Sequence, residues 1–246
     1  MKALIVLLAT GAAIFAQTPH AKSAAPSSAG RAPAANPLLH PETLKGTAPA
    51  IFEAKFTTTK GDFVVTVHRD WSPNGADRFY NLVKYHYFND ASFFRIVPGF
   101  IAQFGMAADP KINAIWEKAN IKDDPSKPTV HNTRGTLVFA ATGAPNSRTT
   151  QLFINLNDNS RSLDSQGFTP FGEVTQGMDV VMNLYSGYGE GADMGGRGPT
   201  QQMISSHGKP YLDKNFPKLD SIKNAVIVPS TAAPAAKSTP ATPVKK

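Results

Sequence analysis

Short apolar segments with alternating polar residues recur from residue 51 to residue 228, and turn-forming residues separate them. The first of these segments, 51–69, predicts two strands that are joined at Thr59-Lys60-Gly61-Asp62, a cluster typical of a hairpin turn. Further strands are predicted at GTLVFAAT (135–142), QLFINL (151–156), FTPFGEV (168–174) and SIKNAVIV (221–228). So many short strands favour a mainly β fold around one core.

Two segments have helical rather than alternating spacing. In segment 71–88 the apolar residues that recur with this spacing are Phe79, Leu82, Val83 and Tyr87. Asn74 is the expected helix cap there, and segment 178–189 predicts a second helix. We therefore expect a closed antiparallel β-barrel with these two helices over its ends.

The segment SFFRIVPGFIAQFG (92–105) predicts a hairpin that carries one arginine, Arg95, and one glutamine, Gln103. A two-residue Pro-Gly loop would place these two side chains on opposite faces, because side chains alternate along a strand. A three-residue loop (98–100) pairs them on one face and gives Gly99 the positive φ that such loops need. We favour the three-residue loop.

The role of Arg95 has two interpretations when the hairpin is considered alone. This face of the hairpin could be open to solvent, in which case the arginine only maintains solubility. Alternatively, the guanidinium is bonded to the Gln103 carbonyl and held rigid on the sheet. The rest of the chain favours the second interpretation.

Charge is unevenly distributed along the 246 residues, which carry a formal net charge of +7. Seven of the 25 basic residues, but only one of the 18 acidic residues, lie outside 51–229. A nucleic-acid-binding domain would concentrate basic charge on its folded body, so we expect no nucleic-acid partner. Cysteine is absent, which excludes disulfides, thiolate metal sites and a cysteine nucleophile.

The N-terminus predicts export. Met1-Lys2 and an apolar run to Ala16 resemble a secretory signal peptide (1–21), cut after Ala16 or Ala21. An uncleaved anchor is the alternative, and we expect no stable membrane insertion after signal removal. Residues 22–50 and 230–246 are rich in Ala, Pro and Ser or Lys, which predicts a flexible linker and a disordered tail. The globular domain is then 51–229.

Other catalytic patterns are missing from the sequence. The six histidines show no HExxH or close metal spacing, no G-x-S-x-G occurs, and NLNDNSRSLD (155–164) does not match an EF-hand. The glycine-rich SGYGEGADMGGRGPT (186–200) lacks the GK[ST] ending and the preceding strand of a phosphate cradle, which favours a mobile loop. We expect no metal site and no cofactor.

Three motifs in order give the chain a family resemblance. These are FFRIVPGFIAQFG (93–105), GTLVFAATGAPNSRTTQLFIN (135–155) and SLDSQGFTPFGEVTQGMDVV (162–181). The chain resembles a cyclophilin-type peptidyl-prolyl cis-trans isomerase, over nearly all of 51–229, and is similar to a bacterial exported subset. The resemblance implies a closed, eight-stranded cyclophilin-like β-barrel capped by two α-helices.

The resemblance also implies a proline pocket. The catalytic arginine falls on Arg95, and the remaining substrate-binding positions fall on Phe100, Ile101, Gln103, Ala140, Ala141, Gln151, Phe153, Leu163 and Phe168. Phe100 and Phe153 taken alone could equally be plain core residues. On the strand QLFINL, Gln151 and Phe153 share one face, which we expect to line the cleft, and the other face should line the core.

Some positions depart from the family pattern. Ser162 stands where many members have the tryptophan that contributes to cyclosporin binding, and Gly167-Phe168 stands where many have a histidine. Leu152 replaces a phenylalanine and Ala141 replaces an asparagine. The arginine and the pocket phenylalanines are present.

The implied function is isomerisation of X-Pro bonds in unfolded or partly folded exported proteins, by a monomer in the periplasm or outside the cell. The alternative from another class is a holdase that grips proline-containing segments with little or no catalysis, which the changes at Ser162 and Phe168 favour. A surface-tethered adhesion domain rests only on the composition of the termini.

Overall fold

The computed structural model describes residues 36–229. The predicted signal peptide, residues 22–35 of the predicted linker and the predicted tail lie outside these residues. The strands are β1 (Ile51–Thr58), β2 (Asp62–His68), β3 (Arg95–Val97), β4 (Ile101–Phe104), β5 (Thr136–Phe139), β6 (Leu152–Asn155), β7 (Pro170–Gln176) and β8 (Ile222–Val228). The α-helices are α1 (Pro73–Lys84), α2 (Pro110–Trp116), α3 (Ser160–Leu163), α4 (Met178–Met182) and α5 (Gln201–Asn215).

All eight strands form one antiparallel sheet in the order β3-β4-β6-β5-β7-β2-β1-β8. The prediction of a mainly β, eight-stranded fold is confirmed. The prediction of a closed barrel is wrong, because the edge strands β3 and β8 do not pair with each other. The sheet is an open, strongly curled half-barrel.

The gap between the two edges has a local cause. The strand β3 is only three residues long, so it offers little backbone for a ladder with β8. The chain just before it meets residues 220–222 through one isolated bridge, Ser92 to Ser221, and through a 2.9 Å bond from the Phe93 amide to the Asp220 carbonyl. Ile222, the first residue of β8, also exchanges backbone bonds with residues 90 and 91. These contacts join the chain before β3 to β8, but β3 and β8 are not neighbours in the sheet.

The predicted three-residue hairpin loop is confirmed. Arg95 lies opposite Gln103, and Val97 lies opposite Ile101. Gly99 has φ of +73°, the left-handed conformation that the prediction assigned to it. Loop length therefore determines that the arginine and the glutamine share one face of the sheet.

The sheet separates two apolar clusters by strand alternation. Inward-facing side chains form the main core, in which phenylalanine rings pack around Phe56, with Phe63 stacked on it at a centroid distance of 4.8 Å. Helix α1 covers this core with Phe79 and Leu82, both fully buried. A second cluster around Phe153 lies on the outer face. This separation leaves the outer face free to build a site.

Two helices had been predicted, and the structure corrects both their extent and their number. The first is confirmed as α1, whereas the second ends at Met182 rather than at residue 189. Five α-helices occur within residues 36–229, so the expectation of two is wrong. The sequence pattern does not predict helix α5, because Gly208, which has φ of +60°, and Pro210 interrupt its apolar spacing.

The predicted cap of α1 is also wrong. The helix begins at Pro73, so Asn74 is its second residue, and the preceding Ser72 makes no capping bond. The carboxylate of Asp124 caps it instead, because its two oxygens accept bonds from the amides of Asn74 and Gly75 at 3.0 and 2.8 Å. A residue fifty positions away thus satisfies the free amides of the first turn.

Residues 36–50 of the predicted linker pack on the domain. Leu38 is buried and its carbonyl accepts a 2.8 Å bond from the indole nitrogen of Trp116. The Ala48 amide donates to Asp77 at 2.8 Å. Within residues 36–229, no helix reaches the length and apolarity needed to cross a membrane.

We predict that Asp124→Ala lowers the free energy of unfolding by about 0.5–2 kcal/mol, the usual effect of losing a helix cap. Urea denaturation followed by circular dichroism measures it. Asp70→Ala is the matched control, because Asp70 is 75% exposed and its ion pair with Lys127 is long, at 3.4 Å. Equal stability of the two variants would contradict the capping role.

Candidate active site

The candidate site begins as one transverse row of side chains on the outer face of the sheet. Arg95 on β3 lies opposite Gln103 on β4, which lies opposite Phe153 on β6, which lies opposite Val138 on β5. Directly opposed residues share a face of the sheet. The row therefore places a cation, an amide and an apolar floor side by side.

Arg95 is held by three polar contacts. Its Nη1 donates to Gln103 Oε1 at 2.9 Å, as the hairpin pairing predicted. Its Nε donates to Glu190 Oε1, and its Nη2 donates to Glu190 Oε2 at 2.8 Å. The side chain is only 13% exposed, which contradicts the interpretation that Arg95 merely keeps a solvent face soluble.

A chain of glutamines extends from the arginine. Gln103 Nε2 donates to Gln151 Oε1, and Gln151 Nε2 donates to Gln201 Oε1, each at 2.9 Å. Gln103 is 4% exposed, so its amide is fixed in this arrangement by partners rather than by water. The guanidinium is thus part of a continuous hydrogen-bonded network.

The apolar floor next to the arginine consists of buried side chains from three strands and one helix: Ile101, Val138, Phe153 and Leu163. Phe100, Ala140 and Phe168 are half-buried and pack against them, so an apolar surface reaches solvent. The Arg95 guanidinium lies 6.0 Å from the centre of the Phe100 ring. Charge and apolar surface therefore adjoin at this end of the floor.

Buried asparagines fix the rim of the floor. Asn159 Nδ2 donates to the Phe100 carbonyl at 2.9 Å and to Asn155 Oδ1 at 2.7 Å. Asn132 Nδ2 donates to the Phe168 carbonyl at 2.7 Å. The backbones of Phe100 and Phe168, whose rings pack at the edge of the floor, are thereby held in place.

Asp164 completes this support. Its Oδ1 accepts from the Asn132 amide and side chain at 2.9 and 2.7 Å, and its Oδ2 contacts His131 Nδ1 at 2.8 Å. Burial raises the pKa of Asp164, but the hydrogen bonds from Asn132 and His131 outweigh it and hold the pKa below its ordinary value. Asp164 is therefore a carboxylate at neutral pH and can accept these bonds.

The structure brings nearly all the sequence-predicted residues together. Arg95, Gln103 and Gln151 form the polar network, and the six predicted apolar residues form the floor and its rim: Phe100, Ile101, Ala140, Phe153, Leu163 and Phe168. Ala141 is not among the side chains packed on the floor, but it lines a neighbouring cavity of about 570 Å³ together with Ala140, Gln103 and Gln151.

The predicted parity of β6 is confirmed. Phe153 belongs to the outer cluster, whereas Leu152 and Ile154 belong to the main core. Within residues 36–229 there is no group of three or more His, Cys, Asp or Glu side chains placed to hold a metal ion.

Sequence reasoning missed Val138, Glu190 and Gln201. Alternation along β5 could have identified Val138, since it faces away from the core residues Leu137 and Phe139. No local signal identifies Glu190, which lies 95 residues from Arg95 in the chain.

Several known proteins are similar in sequence to this chain. Residues 53–206 match the family described as cyclophilin type peptidyl-prolyl cis-trans isomerase/CLD. The chain is 36% identical over 132 residues to peptidyl-prolyl cis-trans isomerase B of Escherichia coli, covering 51% of this chain and 79% of that protein. It is 35% identical over 127 residues to a peptidyl-prolyl cis-trans isomerase of Acinetobacter baylyi, covering 50% of this chain and 66% of the other.

Solved structures share the fold. A cyclophilin type peptidyl-prolyl cis-trans isomerase of Cryptosporidium parvum superposes with a TM-score of 0.52 at 20% identity, covering 73% of this chain and 99% of that one. A structure described as the same protein in the presence of the dipeptide Ala-Pro gives 0.53 at 20% identity, covering 72% and 99%.

We predict that Asn155→Ala lowers the free energy of unfolding by about 1–3 kcal/mol, because buried polar partners lose their bonds. Asn155 is fully buried, donates to Asn132 and Thr136, and accepts from Asn159. Urea denaturation measures the change. The control is Asn157→Ala on the exposed turn that follows, for which we expect a change within about 0.5 kcal/mol. A loss no larger than the control's would show that the network does not stabilise the fold.

Proposed function

The chain belongs to the cyclophilin-type peptidyl-prolyl cis-trans isomerase family, and on that basis we propose that it accelerates X-Pro bond rotation in unfolded or partly folded exported proteins, with Arg95 as the catalytic residue. Isomerase activity is the activity of the family and of the named relatives. The observation that carries the assignment to Arg95 is its guanidinium, held rigid beside an apolar floor.

Catalysis of rotation about an X-Pro bond requires little more than a hydrogen-bond donor fixed in the right position. An X-Pro bond resists rotation because the nitrogen lone pair is delocalised into the carbonyl, which gives a barrier of about 18–20 kcal/mol. At the rotated transition state that delocalisation is lost, so the nitrogen becomes pyramidal and can accept a hydrogen bond. A donor aimed at this nitrogen stabilises the transition state more than either ground state, which is the condition for catalysis.

Arg95 suits this role. An arginine stays charged, is planar and can donate to two acceptors at once. The apolar floor around Phe153 offers a surface on which a proline ring can rest while the preceding residue turns. Because the ring excludes water there, the guanidinium contact is stronger than it would be in bulk solvent. Rotation breaks no covalent bond, so the step needs neither a nucleophile nor a general base.

The substrate class follows from the same surface. One of the structures that share the fold is described as being in the presence of Ala-Pro, which supports proline-containing polypeptides as substrates. The near balance of 18 basic and 17 acidic residues in 51–229 supports a polypeptide rather than a nucleic-acid partner. We propose a monomer, because one chain supplies every element of the site; a light-scattering mass of two chains would refute this.

Export is proposed from the N-terminal sequence. A short positive start and an apolar run ending at Ala16 support a signal peptide, and the composition of 22–35 supports a spacer between the cleavage site and the domain. Clients would then be other exported proteins, met before they are folded. The periplasm is the proposed location, with secretion as the alternative.

We predict that Arg95→Ala lowers kcat/KM about 10²–10³-fold in a protease-coupled or NMR exchange assay on an Ala-Pro peptide, the effect typical of losing one fixed transition-state donor. Arg95→Lys should fall nearly as far, since it keeps the charge but loses the planar fork. An activity untouched by Arg95→Ala would refute the assignment. Peptide affinity without exchange enhancement in the wild-type protein would instead favour the holdase function.

We predict that residues 1–50 fused to mature alkaline phosphatase give phosphatase activity in intact cells, because that enzyme needs an oxidising compartment to form its disulfides. A fusion that starts at residue 22 is the control and should be inactive. Mass spectrometry of the released protein would place the cut after Ala16 or Ala21. An inactive 1–50 fusion would overturn the proposed export.

A further inference from the structure

The guanidinium of Arg95 has a second polar partner that belongs to the glycine-rich loop 186–200. Glu190 accepts from both Nε and Nη2, so the ion pair is bidentate. The hydrogen bonds from Arg95 hold the pKa of Glu190 below its ordinary value, and the carboxylate is therefore charged at neutral pH. Its side chain is 28% exposed, so the ion pair is partly open to solvent.

We propose that Glu190 is a positioning residue for the isomerase, which holds the Arg95 guanidinium in the plane and direction needed to donate to the prolyl nitrogen. The proposal rests on the isomerase function assigned to Arg95. It gives the loop 186–200, which the sequence alone predicts to be a mobile loop, a role in positioning Arg95.

The number of N–H donors that stay free on Arg95 distinguishes a Glu190 that positions the guanidinium from one that blocks it. A guanidinium has five N–H bonds, one on Nε and two on each terminal nitrogen. Glu190 and Gln103 engage three of them, one on each nitrogen. One N–H on each terminal nitrogen remains, which is enough to reach a prolyl nitrogen and a neighbouring carbonyl. The carboxylate therefore fixes the cation without using all its donors.

Fixing the side chain in advance has an energetic benefit. A free arginine side chain has considerable rotamer entropy to lose when it is ordered. The contacts with Glu190 and Gln103 order it before substrate arrives, so less of the binding free energy is spent on orientation. A guanidinium that pointed in another direction would no longer stabilise the transition state more than the ground states.

The glycines of the loop are explained by the way it holds Glu190. The Glu190 carbonyl accepts a 2.8 Å bond from the Gly198 amide, and the Gly191 carbonyl accepts a 2.9 Å bond from the Gly196 amide. A Cβ at position 196 would lie 2.0 Å from the Glu190 carbonyl oxygen. The loop therefore closes on itself around the backbone of Glu190, and a side chain at 196 would open it.

The two ends of the loop are anchored to the domain. At the start, the Tyr188 ring packs edge-on against Phe216 with centroids 5.1 Å apart. At the end, Gln201 opens helix α5 and accepts from Gln151. One hydrogen-bonded chain thus runs from Glu190 through Arg95, Gln103 and Gln151 to Gln201, so that the loop and the first residue after it both belong to the polar network.

The test is the kinetics of Glu190→Gln on an Ala-Pro peptide. We expect kcat and kcat/KM to fall together by about 10–100-fold with KM unchanged, because orientation matters in the transition state and a small misplacement has an effect of this size. Glu190→Asp keeps the charge and should recover part of the loss. The matched control is Asp193→Asn, the same charge change at an exposed position of the same loop, for which we expect wild-type rates.

A second variant and a second measurement separate positioning from folding. Gly196→Ala leaves every charge in place and displaces Glu190 through its backbone, so it should reproduce the loss of kcat. The Arg95 Nε–H signal in a ¹H–¹⁵N spectrum should be distinct and slow to exchange in the wild type and in Asp193→Asn, and should be lost in Glu190→Gln. Denaturation midpoints of all variants confirm that they are folded.

Three results would overturn the proposal. A rise in kcat in Glu190→Gln would show that the carboxylate inhibits the enzyme. Unchanged kcat, or an unchanged Nε–H signal, would show that the contact does not position the arginine. If the wild-type protein lacked isomerase activity, the function assigned to Arg95 would fail, while the Nε–H signal would still report whether Glu190 holds the guanidinium.

Discussion

The charge-assisted hydrogen bonds around Arg95 are the interaction on which the rest of the site depends. A guanidinium that is 13% exposed must have its donors satisfied, since an unpaired buried charge is costly. Gln103 and Glu190 satisfy three donors and leave one N–H on each terminal nitrogen outside these contacts. Strand β4 and the glycine-rich loop bring these two partners to one cation.

Strand alternation is what allows a core and a site to share one sheet. Leu152 and Ile154 face the phenylalanine core, while Phe153 between them faces the cleft. The opening between the sheet edges does not interrupt the row of site residues, because Arg95 on the edge strand β3 is paired on its other side with β4, and through β4 the row continues to β6 and β5. A buried asparagine network around Asn155 then fixes the loops that border the apolar floor.

The glycine-rich loop adds a contact from outside the sheet. Its composition suits a segment that must fold tightly around the backbone of one acidic residue, and position 196 has no space for a side chain. Such a loop combines close packing with a bidentate ion pair on the Arg95 guanidinium. The apolar floor and the polar network therefore have separate supports, one from the asparagines and the other from the loop and helix α5.

The sequence by itself determined the local features. Alternation fixed the positions of strands such as β1 and β2, and the Pro-Gly-Phe loop fixed the pairing of Arg95 with Gln103, because both depend on residues close together in the chain. The family motifs then placed nearly all of the apolar floor. Only the tertiary structure decided that the sheet stays open, that Asp124 caps α1 and that Glu190 binds Arg95. The last two contacts join residues 50 and 95 positions apart. All three features depend on how distant segments pack in the folded chain, which no periodicity or local propensity indicates.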